Sequence, residues 1–277
     1  MPELPEVEVT RRQMAPVVLQ RTVVRVLAGP ALPVFPEGRG RLLRRLPGRQ
    51  IEDVERHGKY LAFRLSDRSA LVIHLGMTGR LVARPISAQC GIRPATDRHL
   101  RLVLEFSGPG PGLAFYDPRQ FGRVFWVGPM EPCKRLDRLG PDALVITASD
   151  FFRRIRERQA AIKGLLLDQK LLAGVGNIYA DEALFFAGLR PQRRAGKITE
   201  ENCDRLLTAL RRVLLQAIAA GGTTTRDFLR PDGNTGSYQE ALQVYGRAGK
   251  PCFRCGRPIQ REVIAQRSAH YCAKCQS

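Results

Sequence analysis

The sequence predicts an α+β chain: a β-rich N-terminal part that forms a sandwich or barrel, a helical middle, and a small cysteine module at the C-terminus. Three observations carry this. Short apolar runs bounded by Gly, Pro and Asp recur up to Val127, the spacing of stacked antiparallel strands. Beyond about Leu144 the pattern changes to helical periodicity with capping residues. Two Cys-x-x-Cys pairs then close the chain.

Taken in order, residues 3–14 form a short helix, followed by strands at Thr22–Ala28 and Gln50–Glu55. Tyr60–Leu65 alternates, with Leu61, Phe63 and Leu65 on one face. Ala70–Leu75, Leu100–Phe106, Leu113–Tyr116 and Arg123–Val127 continue the series, and Ala83–Asp97 is a long polar loop. A linker opens at Gly128-Pro129. Ser149 or Asp150 caps a helix through Arg158, Ala161–Lys170 makes a second, and Asn177–Ala187 is closed by Gly188. Thr199 caps the longest helix, Glu200–Ala220, which carries Leu206, Leu210, Val213, Leu214 and Ala217 on one face. From Arg226 to Tyr238 the Gly-, Asp- and Asn-rich chain has the composition of a mobile segment. These elements place domain boundaries at 1–130, 148–240 and 241–277, with a linker over 131–147.

The 277 residues carry a net charge of +19. Such an excess requires a polyanionic partner, most simply nucleic acid gripped at its phosphates. No apolar run approaches the roughly 18–20 residues of a membrane span, and the acidic N-terminus is unlike a secretory signal. A cytoplasmic protein without a membrane role is expected. Cys90, Cys133 and Cys203 are scattered, which is not a secreted disulfide framework.

Cys252-x-x-Cys255 and Cys272-x-x-Cys275, with sixteen residues between the pairs, have the spacing of a closed four-thiolate zinc site. The metal is structural and folds a hairpin too small for its own core. The hairpin tip falls near Gln266-Arg267-Ser268, where an arginine can meet a phosphate, although a solvated charge is the commoner fate.

At the other end of the chain, removal of Met1 leaves Pro2 with a secondary amine whose reference pKa is near 8. Such an amine attacks electrophilic carbon to form an iminium ion, and Glu3 and Glu6 stand within one helical turn to move protons. The same residues also suit an ordinary first helical turn. Gly174-Val175-Gly176-Asn177 suits either a plain connection between two helices or a turn whose amides and Asn177 face a phosphate. His74-Leu-Gly-Met77-Thr-Gly79 and Asp117-Pro-Arg119-Gln-Phe121-Gly122 are two tight turns carrying bulky side chains. Such side chains are normally core, but on a nucleic-acid face Met77 and Phe121 can wedge between base steps while Arg119 meets base edges. His74, on an apolar strand, is structural. Only seven of the 45 basic residues are lysines, so a lysine kept at a motif position gains a little weight as a group able to give up its proton.

PELPEVE, Gly58-Lys59-Tyr60, HLGMTG, DPRQFG, GVGNIYADEALF, GGTT and the final cysteine segment occur in one order over the whole chain. This order resembles the bacterial formamidopyrimidine-DNA glycosylases. The resemblance implies an N-terminal β-sandwich, a helix–two-turn–helix domain and a zinc-finger hairpin, acting as a monomer on duplex DNA that contains oxidised bases. It implies Pro2 as Schiff-base nucleophile, Glu3 as proton donor, Glu6 as support for the same pocket, and Lys59 in phosphate binding and β-elimination. Asn177 and Arg267 grip phosphates, Arg267 aiding δ-elimination. Met77, Arg119 and Phe121 fill the gap left by the everted nucleotide, and 226–238 closes over the base. There are departures. Asp97-Arg98-His99 stands where His-x-His is frequent, which puts a DNA contact by His99 in question. Arg158 replaces a common lysine among the DNA-binding positions, and Gln120 and Ala269 replace a basic residue and a threonine. Leu4 favours the oxidised-purine branch over the related oxidised-pyrimidine glycosylases. A non-catalytic, zinc-stabilised DNA-binding protein is the alternative of another class, and the Pro2 amine discriminates the two.

Overall fold

The computed structural model describes residues 1–30, 32–85, 97–224 and 228–277. The first helix, α1 (Leu4–Val18), starts because Glu3 is extended (φ −107°, ψ −169°) and its N–H is taken by the Glu6 carboxylate at 2.8 Å. This is half of a capping box. Strands β1 (Val23–Ala28), β6 (Leu100–Phe106), β7 (Gly112–Tyr116) and β5 (Arg80–Arg84) make one antiparallel sheet in the order β1-β6-β7-β5. Strands β2 (Ile51–His57), β3 (Tyr60–Leu65), β4 (Ala70–His74) and β8 (Arg123–Val127) make another in the order β2-β3-β4-β8. Leu61, Phe63 and Leu65 of β3 meet Leu104, Leu113 and Phe115 of the other sheet in one apolar cluster, joined by Val7, Met14 and Val18 of α1. Two sheets with a shared inner face form a sandwich.

The sequence pattern missed one α-helix and one strand of the N-terminal part. The short helix α2 (Arg39–Arg45) buries only Leu42, so it has no apolar stripe to read. Strand β5 begins before the polar loop expected at Ala83–Asp97. Of its residues only Leu81 is fully buried, and it pairs with β7 through its backbone. The remainder of that loop, 86–96, lies outside the described residues.

After the short α3 (Lys134–Asp137), helices α4 (Ala148–Ile155), α5 (Ile162–Leu167), α6 (Asn177–Ala187) and α7 (Glu200–Ala219) follow. The cap of α4 is Thr147, not Ser149 or Asp150; its hydroxyl accepts the Asp150 N–H at 3.2 Å. The helix ends at Ile155 rather than Arg158, because its last buried residue is Ile155 and the chain there turns away. Thr199 caps α7 and Gly188 closes α6 in the left-handed conformation (φ +71°), both as expected. Strands β9 (Gln260–Ile264) and β10 (Arg267–Tyr271) form the final hairpin.

The described chain packs as two units, 1–137 with 221–237, and 138–220 with 238–277. The sequence reading set 221–240 with the helices. In the structure 221–237 packs with the first unit, where the Thr223 N–H donates to Glu6 at 2.8 Å. No helix among the described residues is long and apolar enough to cross a membrane.

Candidate active site and zinc centre

In the first unit the N-terminus is packed, not frayed. Pro2 is buried, and Glu3 and Glu6 are 3% and 2% exposed. The Glu6 carboxylate accepts from two backbone amides, Glu3 N–H through Oε2 and Thr223 N–H through Oε1. It therefore ties the residue next to Pro2 to the Gly221-Gly222-Thr223 segment. Two residues further on, Glu8 binds Arg11, Arg12 and Arg56. Burial alone raises a carboxyl pKa, but these three guanidinium groups prevail and bring Glu8 down to about 2.

Lys59 lies in the two-residue turn between β2 and β3 and is only 6% exposed. His74 is close enough to feel its charge. Burial first, then Lys59, Arg123 and Arg135, bring the imidazole down to about 4, so it is neutral at pH 7. Its Nδ1 accepts the Gly76 N–H at 3.1 Å, which fits the structural role expected for His74.

The HLGMTG turn joins β4 to β5 and the DPRQFG turn joins β7 to β8, so each passes from one sheet to the other. They interlock. A Cβ on Gly76 would stand 2.5 Å from the Gly122 nitrogen, so only glycine permits this approach. Fully buried Asp117 binds them together: Oδ1 accepts from Thr78 Oγ1 at 2.6 Å and Oδ2 from Gly122 N–H at 2.7 Å. On this base stand half-buried Met77, exposed Arg119, and Phe121 at 45% exposure. The Arg119 guanidinium lies 5.0 Å from the Phe121 ring centre. Asp117 was part of a recognised motif, but nothing in the sequence marked it as the joint between two turns.

His99 is exposed, and its N–H is held by Asp97 at 3.2 Å. The segment expected from Arg226 begins within 225–227, outside the described residues. Its described part is anchored, with Thr224 Oγ1 donating to Phe228 O at 3.0 Å and Gln13 donating to Asp232 at 3.0 Å.

In the second unit Asn177 is the first residue of α6. Its Nδ2 stands 3.5 Å from Ser268 Oγ, and its Oδ1 has no partner among the described residues. Its amide is thus hardly spent within the fold. Arg158 is exposed just beyond α4, and Arg267 is exposed at the start of β10. The hairpin turn itself is Ala265-Gln266, one residue earlier than the expected tip.

Cys252, Cys255, Cys272 and Cys275 bring their sulfurs within 4.8 Å of one another. Two of the separations are 4.0 Å (Cys252–Cys275) and 3.4 Å (Cys255–Cys272). Tetrahedral zinc with Zn–S bonds of about 2.3 Å needs sulfurs about 3.8 Å apart, so the set fits. Gln276, 2% exposed, locks one knuckle by accepting the Cys272 N–H at 2.8 Å and donating to Leu189 O at 2.8 Å.

The sequence reading missed the buried charges of the second unit. Glu182 accepts the N–H groups of Gln243, Val244 and Tyr245 at 2.8–2.9 Å; burial raises its pKa against these three donors. Asp181 beside it is fully buried against Lys163 and His270. Adjacent carboxylates in an otherwise apolar helix were the available signal, since buried charges demand partners.

Comparison with known proteins agrees with this fold. Residues 1–124 match the formamidopyrimidine-DNA glycosylase N-terminal domain, 139–229 the H2TH domain of the same enzymes, and 249–277 the zinc finger found in FPG and IleRS. The Thermus thermophilus formamidopyrimidine-DNA glycosylase is 46% identical over 100% of this chain and 98% of its own. The crystal structure of the MutM (Fpg) protein from Thermus thermophilus matches with a TM-score of 0.85 at 44% identity, covering 99% of this chain and 98% of that one. A Lactococcus lactis Fpg complexed with Fapy-dG-containing DNA matches with a TM-score of 0.89 at 31% identity over 100% of both chains.

Proposed function

This chain belongs to the formamidopyrimidine-DNA glycosylase family, the DNA glycosylases of base excision repair in which strand-cleaving lyase activity is typical, and from that premise we propose how its residues divide the work. The substrate is duplex DNA containing an oxidised purine, 8-oxoguanine or a formamidopyrimidine. The enzyme works as a monomer on the nucleoid in the cytoplasm. The observation that carries the reading is the packed N-terminus, with Pro2 buried beside two buried carboxylates.

Once Met1 is removed, the Pro2 nitrogen bonds to C1′ as the bond from C1′ to the base breaks, and the base leaves with a proton. Glu3 gives a proton to the sugar ring oxygen as the ring opens to the iminium. The iminium acidifies the C2′ proton, and its removal expels the 3′ phosphate. A second elimination expels the 5′ phosphate, and water then hydrolyses the iminium to restore the amine. Glu6 holds the backbone on either side of this chemistry. Lys59 binds phosphate and assists the first elimination, and Arg267 the second. Asn177, Arg158 and His99 contact the DNA, and Met77, Arg119 and Phe121 occupy the space of the everted nucleotide. The segment 226–238 covers the damaged base. Zinc is structural: it holds the hairpin that carries Arg267 and takes no part in bond making.

Single-turnover rates on matched duplexes test the lesion class. Release of 8-oxoguanine faster than thymine glycol is expected, and a faster thymine glycol rate would move the chain to oxidised pyrimidines.

A further inference from the structure

The hairpin that presents Arg267 is poorly equipped to hold itself. Its turn residues Ala265 and Gln266 have φ values of +49° and +60°, a left-handed conformation disfavoured for any residue with a Cβ. Strand β9 is exposed over four of its five residues, and a two-stranded hairpin is marginal in water. Zinc fixes the hairpin at Cys272, the far end of β10 from Arg267.

The near end is fixed by three side chains that the proposed chemistry does not use. Lys163 of α5 and Asp181 of α6 are both 0% exposed and pair at 2.6 Å. Lys163 Nζ also donates to the carbonyl of Ser268, the residue next to Arg267. Asp181 Oδ2 accepts the backbone N–H of His270 at 2.9 Å and lies 3.0 Å from His270 Nδ1. A carboxylate oxygen accepts, so this contact is a hydrogen bond in the tautomer that carries a proton on Nδ1. Ser268 and His270 are two apart, so their backbone groups face the same edge of β10. The ammonium and carboxylate serve that edge as a neighbouring strand would, donating to its C=O and accepting from its N–H. Beside Lys163, a Cβ on Gly164 would meet the Ala265 methyl at 3.4 Å, so α5 also backs the strained turn. Asn177 starts the helix that carries Asp181, and reaches Ser268 Oγ.

A buried ion pair is a poor source of stability compared with apolar side chains of the same volume, but it is directional. Here the direction is along one strand edge, ending one residue from the arginine. We infer that Lys163, Asp181 and His270 are positioning residues for Arg267, fixing its reach relative to Asn177 and so governing the second elimination more than the first. The inference rests on the assignment of Arg267 to a phosphate.

The test uses zinc-loaded full-length protein with a free Pro2 terminus, on duplex DNA containing one abasic site. The readouts are the ratio of δ- to β-elimination product, the rate of the first elimination, and zinc content. Arg267→Ala is the reference and should lower the ratio about tenfold or more. Lys163→Met with Asp181→Leu removes both charges together, so neither is left buried alone. It should lower the ratio to a similar degree with the first elimination within about twofold. Adding Arg267→Ala to it should change nothing further, as expected of groups acting through one another. An unchanged ratio in the double variant, with the reference lowered, overturns the inference. So does an equal loss in both eliminations at full zinc content, which marks plain structural support. If Arg267→Ala itself leaves the ratio intact, the assignment of Arg267 fails, and the inference falls with it. Should the double variant lose zinc, the decision passes to His270→Phe, which keeps the ion pair and both backbone bonds. A ratio lowered about threefold and restored by His270→Asn, whose amide nitrogen stands in for Nδ1, supports the inference; no change overturns it.

Discussion

In the first unit, Pro2 and Glu3 lie immediately before α1 and Glu6 in its first turn, whereas in the second Arg267 depends on Lys163 and Asp181, whose bonds to β10 span 105 and 89 residues of sequence. Both ends must hold a reactive group still against its surroundings. The nucleophile end does so mainly by local chain geometry, with a long-range bond in which the Thr223 N–H donates to Glu6. The arginine end uses a metal site and a buried ion pair, because a strained two-residue turn has no local means of rigidity. Disturbing the first should therefore act on chemistry at one atom, while disturbing the second should act through folding and reach.

The largest effect that sharpens this contrast is Cys255→Ala. Four thiolates hold the metal and the metal folds the hairpin, so the variant should lose stoichiometric zinc by elemental analysis and bind duplex DNA at least about tenfold more weakly. Schiff-base formation at Pro2 should survive in whatever DNA is bound. Unmodified protein that contains no zinc would break the comparison at its second term.

Next is Asp117→Ala, which deprives Thr78 Oγ1 and the Gly122 N–H of their common acceptor. Loss of about 2–3 kcal/mol of stability is expected from two orphaned partners. Retained thermal stability would mean the two turns are held apart from Asp117. Excision should fall further than abasic-site cleavage, because the turns carry the side chains that replace an everted base.

The smallest effect is a pH limb. His74 has its pKa lowered from 6.5 to about 4 in the folded protein, so the unfolded chain binds more protons in that range. Its contribution to stability is complete above about pH 6.5 and is lost as pH falls towards 4. Denaturant titrations over this window should show that decline, and His74→Asn should flatten it. A decline of equal slope in the variant would place its source elsewhere.

What was legible in the sequence follows the same division. The capped helices α6 and α7, the alternating strand β3 and the paired cysteines are written in short windows, where period, cap and spacing decide the structure. Strand β5 was not legible, because backbone pairing with β7 makes it a strand and its side chains are mostly half-buried. The candidate site shows the same contrast. Pro2, Glu3 and the zinc cysteines are marked by residue type at fixed spacing. Lys163, Asp181 and His270 are ordinary residues in their own segments, and only tertiary packing makes them neighbours. Asp117 and Glu182 likewise acquire their roles from backbone amides brought to them by the fold.

The central claim is that the backbone nitrogen of Pro2 is the nucleophile, which requires Met1 to leave. With Met1 attached that nitrogen is a tertiary amide, neither basic nor nucleophilic, while the zinc site and the arginine-rich surface are unchanged. The direct measurement is borohydride trapping on a duplex containing 8-oxoguanine, comparing protein with a free Pro2 terminus and protein that retains Met1. The free form should give a covalent adduct and cut the strand, and the Met1 form should bind with near-normal affinity yet do neither. Equal trapping by both forms would contradict the account and turn attention to a side-chain amine such as Lys59.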